Sequence, residues 1–99
     1  MTQQSMQEDK VVNGVNVTQL FGTMEAIGEH KEIAAFNFRA RNKWVNGANN
    51  QTTVDDFYGA CETHTRETPF VFDKDEPPVL LGQDIGAHPV EYLLAALAG

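Results

Sequence analysis

The chain has 99 residues, seven of them basic and fourteen acidic, and a net charge of −7. That balance excludes a nucleic-acid-binding module, which needs a basic surface to displace counterions from phosphate. Its 41% hydrophobic and 21% charged content is that of a globular domain rather than a disordered segment.

A single cysteine, Cys61, rules out an internal disulfide framework. The longest strongly apolar run, Tyr92 to Ala98, is too short to span a bilayer. The polar stretch Met1 to Lys10 carries no apolar leader core. The expectation is a soluble cytoplasmic protein with neither nucleic acid nor membrane among its partners.

Residues 1–14 read as a flexible tail. Asn16 then offers a helix cap, with Gln19 three residues on. Val17, Leu20, Phe21, Met24 and Ile27 fall on one stripe of helical period. The spacing predicts a helical extension over 15–34, with Gly28 as its stop signal. At Ala35 the period changes to two. Phe36, Phe38, Ala40, Asn42 and Trp44 alternate with Asn37, Arg39, Arg41, Lys43 and Val45. This predicts one strand with an aromatic face and a basic face.

Asn46-Gly47 signals a hairpin turn, and Ala48, Asn49 and Asn50 suggest a loop longer than two residues. Gln51 to Tyr58 reads as the return strand, Cys61 to Thr68 as a strand edge or loop, and Pro69 to Phe72 as a short strand. Asp73 to Glu76 reads as an acidic turn. Pro77-Pro78 bars a central strand, so Val79-Leu80-Leu81 is expected to be an edge strand or an extended link. Beyond the loop Gly82 to Ala87, Pro89 suits the first position of a helix over 88–99, with His88 before it. Val90, Leu93, Leu94 and Leu97 make that helix's apolar stripe. Nothing further in the sequence covers this stripe, so the chain is expected to be a fragment of a longer polypeptide.

Few residues combine into chemistry. Cys61, beside Glu62, lacks the electropositive setting of a reactive thiol and reads as an inert loop or strand cysteine. Cys61 and His64 form one Cys-x-x-His pair, whereas zinc needs three or four protein ligands. The loop Gly82 to Gly86 lacks the lysine of a phosphate-binding loop. No metal and no cofactor are expected. Glu91 is the third helical residue, where a helix N-terminus stabilises a carboxylate by ~0.3–1 kcal/mol. His88 reads as the cap of that helix. Arg39 and Arg41 share the basic strand face, and residues 31–45 hold four basic groups against one acidic. That local excess suits an anion or a thiolate.

The stretch from Gly86 through His88-Pro89-Val90-Glu91-Tyr92-Leu93-Leu94-Ala95-Ala96-Leu97-Ala98-Gly99 resembles the start of the central helix of the OsmC/Ohr family. Two further segments are similar to that family: Ala40 to Gly47, like its first strand and turn, and Asp75 to Gly82, like the link into the helix. Residues 15–34 are similar to the helical extension of one subgroup. The resemblance implies an α+β fold in which a curved antiparallel sheet packs on a long central helix, in an intertwined homodimer.

On that pattern residues 35–99 are the N-terminal part of the domain, with strands over 35–82. The helix over 88–99 is the start of the central one. The resemblance also implies a cysteine-based peroxidase that reduces organic hydroperoxides with a dithiol reductant. Its reactive cysteine would follow directly after Gly99, so residues 1–99 alone would be inactive. Glu91, Arg39 and Arg41 would then be the supporting catalytic residues. Val90 stands where the family's peroxidases often carry glutamate, and Asn46 to Gln51 holds no arginine. A non-catalytic binding or interaction protein of the same fold is therefore the alternative. The expected partners are a second copy of the chain or the remaining C-terminal part of the polypeptide.

Overall fold

The computed structural model describes residues 8–99. Helices and antiparallel sheets are both present, giving an α+β chain. Its first element lies within the stretch 1–14 read as a tail. Strand β1 (Val11–Val12) pairs with β2 (Val15–Asn16) across Asn13-Gly14. Both turn residues have positive φ, 52° and 80°, the geometry of the tight hairpin turns that Asn-Gly favours. The tail reading is corrected for these residues, and its first seven lie outside the described residues.

Helix α1 follows at Val17–Glu29. The Asn16 side chain accepts from the Gln19 backbone N–H at 2.9 Å and donates to Asp9. Gly28 lies inside the helix rather than ending it. His30 is the C-cap, and its N–H donates to the Ala26 carbonyl. A short 3-10 helix, Lys31–Ala34, comes next. The chain divides into two units, one running to Phe36 and taking in Gly59–Glu62, the other comprising Asn37–Tyr58 and Thr63–Gly99.

The second unit is built on a bent hairpin. The single strand expected from Ala35 to Val45 is instead two, β3 (Asn37–Phe38) and β4 (Arg41–Asn46). The return strand is likewise divided, into β5 (Asn49–Val54) and β6 (Phe57–Gly59). Phe38 pairs with Phe57 and Arg41 with Thr53, so two residues on one side face three on the other. One extra residue on a strand bends it and interrupts the ladder. The turn is tighter than expected, because Asn46 pairs with Asn49 and only Gly47-Ala48 lie between. Gly47 has φ of 59°, which suits the first position of such a two-residue turn.

Strand β7 (Glu62–His64) joins β6, giving the order β3-β6-β7. Strand β8 (Phe70–Lys74) pairs antiparallel with β5, giving the order β4-β5-β8. Asp73 and Lys74 thus belong to a strand, not to the expected acidic turn. The expected extended link at Val79-Leu80-Leu81 is also corrected. Pro78–Leu80 is a 3-10 helix, and Leu81 closes it at φ 71°. Proline's fixed φ suits the first turn of a helix as well as extended chain.

Helix α2 (Pro89–Ala98) begins where proline and histidine predict. It is held to β8 by its first turns. The Tyr92 hydroxyl donates to the Asp73 carbonyl at 2.7 Å, and its ring meets Phe72 edge-on. Ala87 bridges to Lys74 and accepts from the Asp75 N–H. Among the described residues no apolar side chain is buried, and the buried residues are Asn49, Gly59 and Asp75. No helix among them is long and apolar enough to cross a membrane.

Candidate functional site

The extra residue in the bent hairpin places two aspartates, Asp55 and Asp56, against the basic strand face. Arg41 grips Asp55 with both terminal nitrogens, at 2.8 and 3.3 Å. Arg39 lies 3.9 Å from Asp56, a looser pair. Arg66 donates to the Asp55 backbone carbonyl at 3.1 Å, and its guanidinium lies over the rings of Phe57 and Phe70. The Arg41 hydrogen bonds, helped by the Asp56 backbone N–H, hold the Asp55 carboxyl well down, at about 2. The same hydrogen bond raises the Arg41 guanidinium above its already high value. The arginines expected to face a thiolate therefore face carboxylates.

Glu91 has a different partner. Its carboxylate accepts from the His88 backbone N–H at 2.9 Å, while His88 Nδ1 accepts from the Val90 N–H at 2.9 Å. This is a capping box with histidine in the cap position, closing helix donors that otherwise lack partners. His88 Nε2 also meets Glu76 at 2.8 Å. Nδ1 accepts the Val90 N–H, so Nε2 carries the proton that reaches Glu76. No ion pair among the described residues joins Glu91 to Arg39 or Arg41. The structure brings the two arginines together at the hairpin bend and gives Glu91 a separate role at the helix start.

Cys61 is exposed, in the turn between β6 and β7. Ala60 and Cys61 both have positive φ there, at 51° and 66°. Among the described residues no three His, Cys, Asp or Glu side chains gather into a metal site.

Two groups have roles the sequence did not suggest. Asp75 is 1% exposed, and its carboxylate accepts from the backbone N–H groups of Glu76, Gln83 and Ile85. It ties down the loop that leads into α2. The acidic run around it gave no sign of which carboxylate turns inward. The second feature is an open hollow of ≈ 270 Å³ on one sheet face, lined by Thr52, Val54, Phe72, Lys74 and Tyr92. The β5–β8 register puts Thr52 opposite Phe72, a pairing that only the assembled sheet defines. No family model and no curated protein matches the chain.

Proposed function

We propose that the chain is the N-terminal part of an OsmC-like, thiol-dependent peroxidase that reduces organic hydroperoxides. The observation carrying this reading is the start of α2, where Gly86, Pro89 and Glu91 stand in the spacing that resembles the family's helix. His88 and Glu91 cap that helix, and Tyr92 seats it on the β4-β5-β8 sheet. Gly86 fits the same reading, since a Cβ there would collide with the Asp73 carbonyl. The reactive cysteine is proposed to come from outside residues 1–99. Its thiolate would attack the peroxide, breaking the O–O bond to give a sulfenic acid and an alcohol. A second thiol would then form a disulfide with loss of water, and a dithiol would restore both thiols.

In this reading Arg39, the more loosely paired of the two strand arginines, is the better candidate to turn toward the thiolate. Arg41 positions the bend, and Glu91 positions the helix. Dithiol-dependent turnover suits a reducing compartment such as the cytoplasm. The partner is a second copy of the chain or a further segment of the same polypeptide.

The commitment of Arg41 to Asp55 and of Glu91 to His88 favours the second reading, a non-catalytic binding protein of the same fold. One experiment separates the two. The full polypeptide is mixed with cumene hydroperoxide and a dithiol, and peroxide loss is followed while sulfenic acid is trapped and located by mass. Turnover with a trapped cysteine outside residues 1–99 supports the peroxidase. An unreacted peroxide pool with no trapped cysteine leaves the binding protein.

A further inference from the structure

The cap of α2 is a side chain that can change its charge. The usual cap residues, serine, threonine, aspartate and asparagine, accept a helix N–H throughout the neutral pH range. Histidine accepts one only while a ring nitrogen is unprotonated. At the start of α2 that nitrogen is His88 Nδ1, which accepts from the Val90 N–H at 2.9 Å. The other, Nε2, meets Glu76 at 2.8 Å. Both ring nitrogens are thus engaged, and their two contacts respond to an added proton in opposite senses.

A proton on Nδ1 sets one N–H against another, so Val90 loses its acceptor. The same proton turns the contact with Glu76 into an ion pair, and a charge-assisted hydrogen bond is roughly twice as strong as a neutral one. Both side chains are 28% exposed, so water screens this pair only in part. The protonated ring therefore keeps Glu76 and releases Val90. The neighbouring carboxylates have other donors. That of Glu91 accepts from the His88 backbone N–H, and that of Asp75 from the N–H groups of Glu76, Gln83 and Ile85. Lys74 and Asp84 adjoin this corner through main chain, Lys74 by its bridge to Ala87 and Asp84 by its N–H on the Glu76 carbonyl. Among the described residues, Glu76 is the charged side chain paired with the imidazole.

We propose that His88 is a pH-sensitive latch on the start of α2. Neutral, it closes the helix through Nδ1. Protonated, it opens the cap at Val90 and stays on Glu76. The release acts on the turn that seats the helix. The Glu91 and Tyr92 N–H groups both donate to the His88 carbonyl, and the Tyr92 hydroxyl holds β8. This proposal stands independently of the peroxidase reading.

The test follows the isotope-labelled protein by NMR from about pH 8 to about pH 5, the range in which histidine ordinarily changes charge. At the upper end the His88 ring is expected to carry its proton on Nε2 and none on Nδ1. As the ring takes its second proton, protection of the Val90 amide from solvent exchange, corrected for the intrinsic effect of pH, is expected to fall about fivefold, the usual worth of a cap. That fall shares its midpoint with the His88 ring and not with the rings of His30 or His64. In His88→Asn the Val90 protection is expected to stay flat, because asparagine caps without titrating. A proton on Nδ1 at the upper end overturns the proposal. So does Val90 protection that ignores the His88 titration, or the same fall in His88→Asn. The ring and amide signals of the unsubstituted protein decide the matter even if His88→Asn misfolds.

Discussion

Asp55 sits where the return strand gains its extra residue, and its carboxyl is held at about 2 by Arg41. Its folded value lies below the unfolded value of about 3.9. The stabilising contact is therefore fully present above about pH 4 and is lost as the pH falls through about 2. NMR titration of the Asp55 carboxyl in Arg41→Ala should show a midpoint moved up toward the ordinary carboxylate range. An unchanged midpoint would mean that Arg41 does not set it. At the helix start, Glu91→Gln should leave thermal stability nearly unchanged, because glutamine also completes a capping box. Glu91→Ala should cost about 1 kcal/mol, the usual worth of a cap, measured by urea unfolding. A loss in Glu91→Gln as large as in Glu91→Ala would point to the charge instead. The caps at Asn16 and His88 were legible in the sequence because a cap and its helix lie within a few residues of each other. The partners of Arg41 and Asp75 were not, since they are 14 residues away in one case and up to 10 in the other.

The bent hairpin shows why an element can be recognised and still misjudged. The alternation from Phe36 to Val45 runs unbroken through the bend, because the extra residue is on the opposite strand, at Asp55-Asp56. Nothing local to residues 35–45 could mark the break. The 3-10 helix at Pro78–Leu80 was missed for another reason. Two prolines rule out a ladder position without choosing between a tight turn and extended chain. The link from β8 to α2 depends on close backbone approach at two glycines. A Cβ at Gly82 would strike the Glu76 carbonyl, and one at Gly86 the Asp73 carbonyl. Gly86→Ala should therefore pull the helix start from β8 and destabilise the chain by about 1–3 kcal/mol, the usual range for overpacking. The check is a shifted Tyr92 ring signal together with a lower urea midpoint.

Taken as a whole, the chain leaves its apolar side chains uncovered within each of its two units. Leu20, Phe21 and Met24 are exposed on α1, and so are Val90, Leu93, Leu94 and Leu97 on α2. Trp44 is 69% exposed, although its indole N–H donates to the Gly47 carbonyl. A chain of this size is marginal even with a closed core. Residues 1–99 should bind a hydrophobic dye and self-associate as concentration rises. Sedimentation showing a monomer with no dye signal would contradict this. The Gly47-Ala48 turn, meanwhile, gives the chain a place to begin. Only two residues separate β4 from β5, so closing that loop forfeits little chain entropy. Such a hairpin forms in about 1–10 μs. Strand β8 must then return across a longer stretch, and α2 depends on β8 for its seat. Folding is therefore expected to run outward from the turn, the hairpin ahead of β8, with α2 taking its seat only once β8 supplies the Asp73 carbonyl and the Phe72 ring that hold Tyr92.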